Sequence, residues 1–137
     1  MYEAFLTIVR GLPVFTLHSA TGLGILIGGI LVYTRITPHD ELALIRAGNV
    51  AAALSLGGAM LGLALPISFA LATSVSVWDL LFWGVVGLVF QLVAFRVVDL
   101  VLHGLSHRIE AGELGPAILL VCFKLATACI NAAAIAG

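Results

Sequence analysis

Four side chains stand inside apolar runs where their chemistry has a cost: Gln91, Lys124, Thr127 and Asn131. An ionisable group in a bilayer core costs about 2.5–3.5 kcal/mol on insertion scales, so it needs a partner or a task. Lys124 falls near the middle of its run, where its stem reaches neither surface easily. Thr127 and Asn131 follow at i+3 and i+7, which makes one helical face polar along its outer half. Gln91, on the preceding antiparallel run, sits at a similar depth and is the expected neighbour of Lys124. Two kinds of chemistry fit these residues. Interhelical hydrogen bonding, worth about 0.6 and at most about 1.7 kcal/mol per bond, suits Gln91 and Asn131. Lining a water-filled path suits Lys124, because a charge at the midplane is a poor adhesive.

Asp99, His103, His107 and Glu110 are spaced 4, 4 and 3 residues apart, so a continuous helix would align all four. Histidines at i and i+4 can hold a transition metal, and carboxylates could complete the set. A polar stripe is also ordinary where a helix leaves a membrane, and Gly104 can break the helix. The four stay a candidate set, and no metal or cofactor is assigned. No nucleophile–base pair or carboxylate pair sits where water and substrate could both reach it, so no catalytic residue is named and the reading is non-enzymatic.

The elements that must hold these residues are set by composition. The 137 residues are 62% hydrophobic and only 9% charged, against about 25% charged in soluble domains. That little polar surface cannot cover such a core in water, so the natural solvent is lipid. The net charge of −1 offers no basic patch for nucleic acid. Cys122 and Cys129 read as small packing residues that cannot pair along one helix. The first apolar run is long enough to span, and it is read as mature structure rather than a cleaved signal.

Four runs reach the roughly 20 residues a spanning helix needs: Leu12–Thr34, Val50–Ala72, Val77–Val101 and Gly115–Ala136. The expected fold is all-α, a polytopic membrane protein with four transmembrane helices as a tandem pair of hairpins in one domain, residues 1–137. The first link, Arg35–Asn49, carries a helix-start signal in which Thr37 can cap, Pro38 fits the first helical position and Asp40 supplies a first-turn acid. It predicts a short amphipathic helix along the interface. Arg35, Arg46 and Arg108 lie in the first and third links, which places both links in the cytoplasm and both termini in the periplasm. Trp78, Trp83 and Tyr33 suit interfacial anchoring.

A shift of 64 residues aligns His39 with His103, Ile45 with Ile109 and Ala47-Gly48 with Ala111-Gly112, and the match continues into the following helices. The chain therefore reads as an internal repeat, 12–72 and 77–136, with a pseudo-twofold axis along the membrane normal. Small residues should pack the helices: Gly24 and Gly28 in the first, Gly58 and Gly62 in the second. Pro66 frees the carbonyl of Gly62 and reads as a tolerated kink.

The pattern Ile36-Thr37-Pro38-His39-Asp40-Glu41, the stretch Ala47–Leu54 with its A-G-N-x-A-A-A-L, and Leu65-Pro66 together resemble the YjfL-like family of small bacterial inner-membrane proteins, domain of unknown function 350. Trp83-Gly84 through Leu88 to Gln91, and Asn131-Ala132-Ala133, fit as well. Thr37, Pro38, Glu41, Asn49, Pro66, Gln91 and Asn131 match the family motif, whereas Lys124, Arg96, Asp99 and the histidines of the third link do not. The resemblance implies four transmembrane helices in a bacterial inner membrane and assigns no activity. Two functions remain as expectations. One is an oligomeric channel- or transporter-like conduit for ions or a small solute. The other is a membrane scaffold that docks a cytoplasmic protein partner through its two charged links. The bilayer and further copies of the chain are the expected partners.

Overall fold

Long apolar runs with no strand periodicity leave the backbone one way to satisfy its amides in lipid, the helix. The computed structural model describes residues 1–137 as six helices: α1 (Tyr2–Ile36), α2 (Glu41–Arg46), α3 (Val50–Thr73), α4 (Val77–Val101), α5 (Leu105–Glu110) and α6 (Leu114–Ala136). Four of them, α1, α3, α4 and α6, are long and apolar enough to cross a membrane. α1 begins at Tyr2 rather than near Leu12, and its 35 residues span about 52 Å at about 1.5 Å each, well beyond a hydrocarbon core of about 30 Å.

The link helices are shorter and differently capped than the sequence suggests. Thr37 closes α1, its Oγ1 donating to the Tyr33 carbonyl at 2.8 Å, and does not cap the next helix. Pro38 disfavours helical backbone at Thr37 and sits in the bend, not at a first helical position. Asp40 is the true cap, accepting from the Ala43 amide at 3.0 Å. α2 and α5 end alike, on Gly48 (φ +87°) and Gly112 (φ +84°). The next amides, of Asn49 and Glu113, reach back to the Leu44 and Arg108 carbonyls. A Cβ at either glycine would meet nothing within 4 Å, so backbone freedom is what glycine supplies there.

α3 is the hub and α6 its closest neighbour, with α1, α4 and α2 packed around them. A Cβ on Gly58 would lie 2.6 Å from Val121, and one on Gly62 would lie 2.8 Å from Phe95 and 3.4 Å from the Lys124 carbonyl. Those two positions admit α6 and α4 by having no side chain. Gly24 and Gly28 behave differently. Both are exposed with nothing within 4 Å, and Gly29 makes the close contact of α1 instead, against Leu88. The spacing is the same, but only one face of α1 meets the bundle. Pro66 is buried within an unbroken α3 and packs against Gly87 of α4. Cys122 and Cys129 point outward and are not bundle packing residues.

The interior divides into two clusters. One holds Tyr33, Leu56, Ala59, Leu63 and Phe95; the other holds Ala51, Ala52, Ile109, Ala117 and Leu120, closer to the links. Tyr33 is 2% exposed, its ring edge-on to Phe95 at 5.8 Å, so it is core rather than an interfacial anchor.

Candidate functional site

Because Gly58 and Gly62 let α6 lie against α3, Lys124 enters the bundle fully buried. Its Nζ donates to the Tyr33 hydroxyl at 2.6 Å and to the Ser55 hydroxyl at 3.4 Å. Both hydroxyls donate onward to one carboxylate oxygen, Glu41 Oε1, at 3.1 Å from Tyr33 and 3.0 Å from Ser55. Nζ also lies 4.7 Å from the Tyr33 ring centre and 5.3 Å from that of Phe95, a distance at which ring faces attract a cation. The Asp40 cap starts α2 so that its first residue, Glu41, points into the bundle at 2% exposure. The result is a buried ion pair bridged by two hydroxyls, which offsets the cost of taking either charge out of water.

The site continues toward the links. The His39 side chain is 6% exposed, with Nε2 3.7 Å from Glu41 Oε1 and Nδ1 3.9 Å from Glu110 Oε1. Neither ring nitrogen makes a hydrogen bond, and Glu41 Oε2 has no partner either. A polar cavity of about 350 Å³ is bordered by Thr37, His39, Asp40 and Glu41. Glu110 is also 3.5 Å from the exposed His107.

In the other direction, the Gln91 amide donates to the Lys124 carbonyl at 3.1 Å and to Thr127 Oγ1 at 3.3 Å. Gln91 and Lys124 are thus neighbours through the backbone rather than through the ammonium. Asn131 donates to the Gly87 carbonyl at 2.9 Å and to Gln91 Oε1 at 3.3 Å. Gln91, Thr127 and Asn131 border a second cavity, of about 270 Å³, between α4 and α6. A larger groove of about 520 Å³ beside α1, from Val9 to Ala20, is mostly apolar and remote from this chain of contacts.

The remaining motif residues hold the frame. Asn49 caps α3, its Oδ1 accepting from Ala52, while its Nδ2 donates to the Ile109 and Glu110 carbonyls at 3.0 Å each. One side chain therefore ties the two links together. On the far link, Arg108 donates to Glu113 Oε2 at 2.8 Å and 2.5 Å. Those hydrogen bonds, helped by the guanidinium charge, hold the Glu113 carboxyl below the ordinary glutamate range and push Arg108 upward.

The set Asp99, His103, His107 and Glu110 does not assemble. α4 ends at Val101 and Gly104 turns the chain at φ +83°, so the four do not share a helical face. No three His, Cys, Asp or Glu side chains are placed to hold a metal. Tyr33 and Ser55, the inner partners of Lys124, are not evident from the sequence. Tyrosine near a helix end reads as an anchor and serine in a small-residue helix reads as filler. The spacing of Tyr33 to Glu41 across a bend is the only local hint.

The sequence matches the family described as Domain of Unknown Function (DUF350) over residues 7–135. The chain belongs to that family. This DUF350 protein is 34% identical over 126 residues to UPF0719 inner membrane protein YjfL of Escherichia coli K12, covering 92% of this chain and 96% of the relative. YjfL of Escherichia coli O157:H7 matches to the same extent. No solved structure matches. Inner-membrane relatives and four helices of spanning length together make it a multi-pass inner-membrane protein.

Proposed function

We propose that this DUF350 protein is a non-enzymatic, transporter-like conduit that moves an ion or a small solute through the inner membrane. One observation carries the reading: two polar clusters meet at Lys124, Asn131 and Gln91 reaching its carbonyl, and Tyr33 and Glu41 following from its ammonium. Buried polar groups held only as glue would be served by isolated pairs, whereas this series extends along α6 from Asn131 to Lys124 and on to Glu41 at the start of α2. It is lined by side chains rather than open space, which favours stepwise passage over free conduction.

The working unit on this reading is a homo-oligomer. Gly24 and Gly28, unused within the protomer, form a small-xxx-small face suited to a second copy. The chain is further read as a duplicated hairpin, since α2 and α5, α3 and α6, and Gly48 and Gly112 each start 64 residues apart. The arginine-bearing links are assigned to the cytoplasm and the termini to the periplasm. Purified protein in liposomes tests the reading. Lys124→Leu and Gln91→Leu should each reduce flux of at least one ion or solute, and unchanged flux for every solute tried would remove it.

A docking role through the links is supported by exposed Leu42, Arg46, His103 and His107. It predicts that exchanging these surface residues abolishes co-purification of a cytoplasmic protein without affecting membrane insertion. Retained co-purification would count against it.

A further inference from the structure

Tyr33 and Ser55 each stand between an ammonium and a carboxylate, accepting from one and donating to the other. A hydroxyl so placed can pass a proton on while keeping one of its own. We propose that Glu41, Tyr33, Ser55 and Lys124 form a buried proton-transfer site, loaded from the link face through His39, and that the proton is the ion the conduit handles. The last clause rests on the conduit reading; the transfer itself rests on geometry.

The internal step balances. Lys124 gives a proton to the Tyr33 oxygen as Tyr33 gives its own to Glu41 Oε1. The products are a neutral amine, an intact phenol and a carboxylic acid. Ser55 offers the same route in parallel. The site carries no net charge before or after, so a buried ion pair and a buried neutral pair interconvert without an outside reactant. Low dielectric, which makes buried charge expensive, brings these two forms closer in free energy than they are in water.

Loading uses the groups left without partners. A proton on His39 Nε2 passes to Glu41, leaving neutral histidine and glutamic acid beside the ammonium. The neutral ring keeps its proton on Nδ1, and rotation of the ring turns the vacated Nε2 toward Glu110 and the link face, where it takes up the next proton. The 3.7 Å and 3.9 Å separations are each somewhat longer than a hydrogen bond, and a modest ring rotation closes either one. Other charges facing the site are few. Half-buried Asp99 of α4 lies within electrostatic reach of Lys124, Glu41, His39 and Arg96. Arg96 is turned to the Ile36 carbonyl at 3.4 Å, and His107 sits behind Glu110. Toward the other face, Gln91, Thr127 and Asn131 offer amides and a hydroxyl but no titratable group, so loading is from the link face and release to the other face needs water in the cavity they border.

The full chain in lipid nanodiscs, followed by infrared difference spectroscopy during acidification, tests this with the proton itself as probe. A carboxylic-acid carbonyl component distinct from those of the exposed Glu3, Glu110 and Glu113 should appear, shift on ¹³C-labelling of glutamate and vanish in Glu41→Gln. Lys124→Met should move the pH at which it appears. Tyr33→Phe and Ser55→Ala should each slow exchange between Glu41 and Lys124, and the double variant should abolish it. His39→Gln should slow uptake after a pH jump without altering the final band. If Glu41→Gln fails to fold, Glu41→Asp, which keeps the carboxylate, should remove that component from the ¹³C-glutamate difference spectrum. Absence of any glutamate band before acid unfolding, or a band untouched in folded Glu41→Gln, overturns the proposal. Proton uptake at Glu41 without flux of any ion or solute would leave the site standing and remove the conduit. Flux without the band would do the reverse.

Discussion

At the scale of single residues, the deciding fact is that Lys124 and Glu41 meet only through two hydroxyls. Removing one member of a buried pair strands the other charge, at a cost of about 3–5 kcal/mol. Lys124→Met and Glu41→Gln should each lower unfolding stability in bicelles by roughly that amount, while the double variant recovers most of the loss. Additive losses in that cycle would mean the two charges do not sense each other. Lys124 is legible in the sequence because a charge in an apolar run is conspicuous whatever surrounds it. Tyr33 and Ser55 are not, because their role depends on α3 and α6 lying close together, a distance that no local pattern reports. Glu41 is visible as part of a motif, yet its inward aim follows from the Asp40 cap, which fixes where α2 begins.

At the scale of elements, shared spacing hides opposite roles. A methyl added at Gly58 runs into Val121, so Gly58→Ala should destabilise the α3–α6 contact by about 1–3 kcal/mol, with Val121→Ala restoring part of it. Gly24→Ala, on the exposed face, should leave protomer unfolding within about 0.5 kcal/mol of the wild type. Equal effects on unfolding would contradict the packing described. The four spans and two links are legible from hydropathy and polar interruptions, whereas the face each small residue presents is set by tertiary packing and cannot be read from the G-x-x-x-G pattern. The link to α6 carries a pH dependence of its own. Glu113 has a lowered folded value, so its stabilisation is complete above the ordinary glutamate range and fades as pH falls through the folded value. Once the intrinsic slowing of exchange in acid is divided out, amides around Ala111–Glu113 should therefore exchange faster on the acid side of that window, and Glu113→Gln should show the faster corrected rate already at neutral pH. A rate independent of both would show that Arg108 is not pinning the link.

At the scale of the whole molecule, four spans put both ends of the chain and the short α3–α4 turn on one face, and the two links that carry α2 and α5 on the other. Single cysteines at Thr7 and Arg46, in a background with Cys122→Ala and Cys129→Ala, should react with an impermeant maleimide from opposite sides of the membrane. Labelling of both from the same side would break the four-span arrangement. The bridged pair also has a consequence for how the chain is made. Tyr33, Glu41 and Ser55 are linked to one another without help from α6. The first half of the chain, once in the bilayer, would hold an assembled acidic socket with no cation in it. Lys124 lies 91 residues beyond Tyr33 and arrives only with α6. Until then the socket is a buried charge without a counterpart, a state that favours water entry, slippage and proteolysis. Its filling needs α6 seated on α3, so the lysine contact and the packing of those two helices form together.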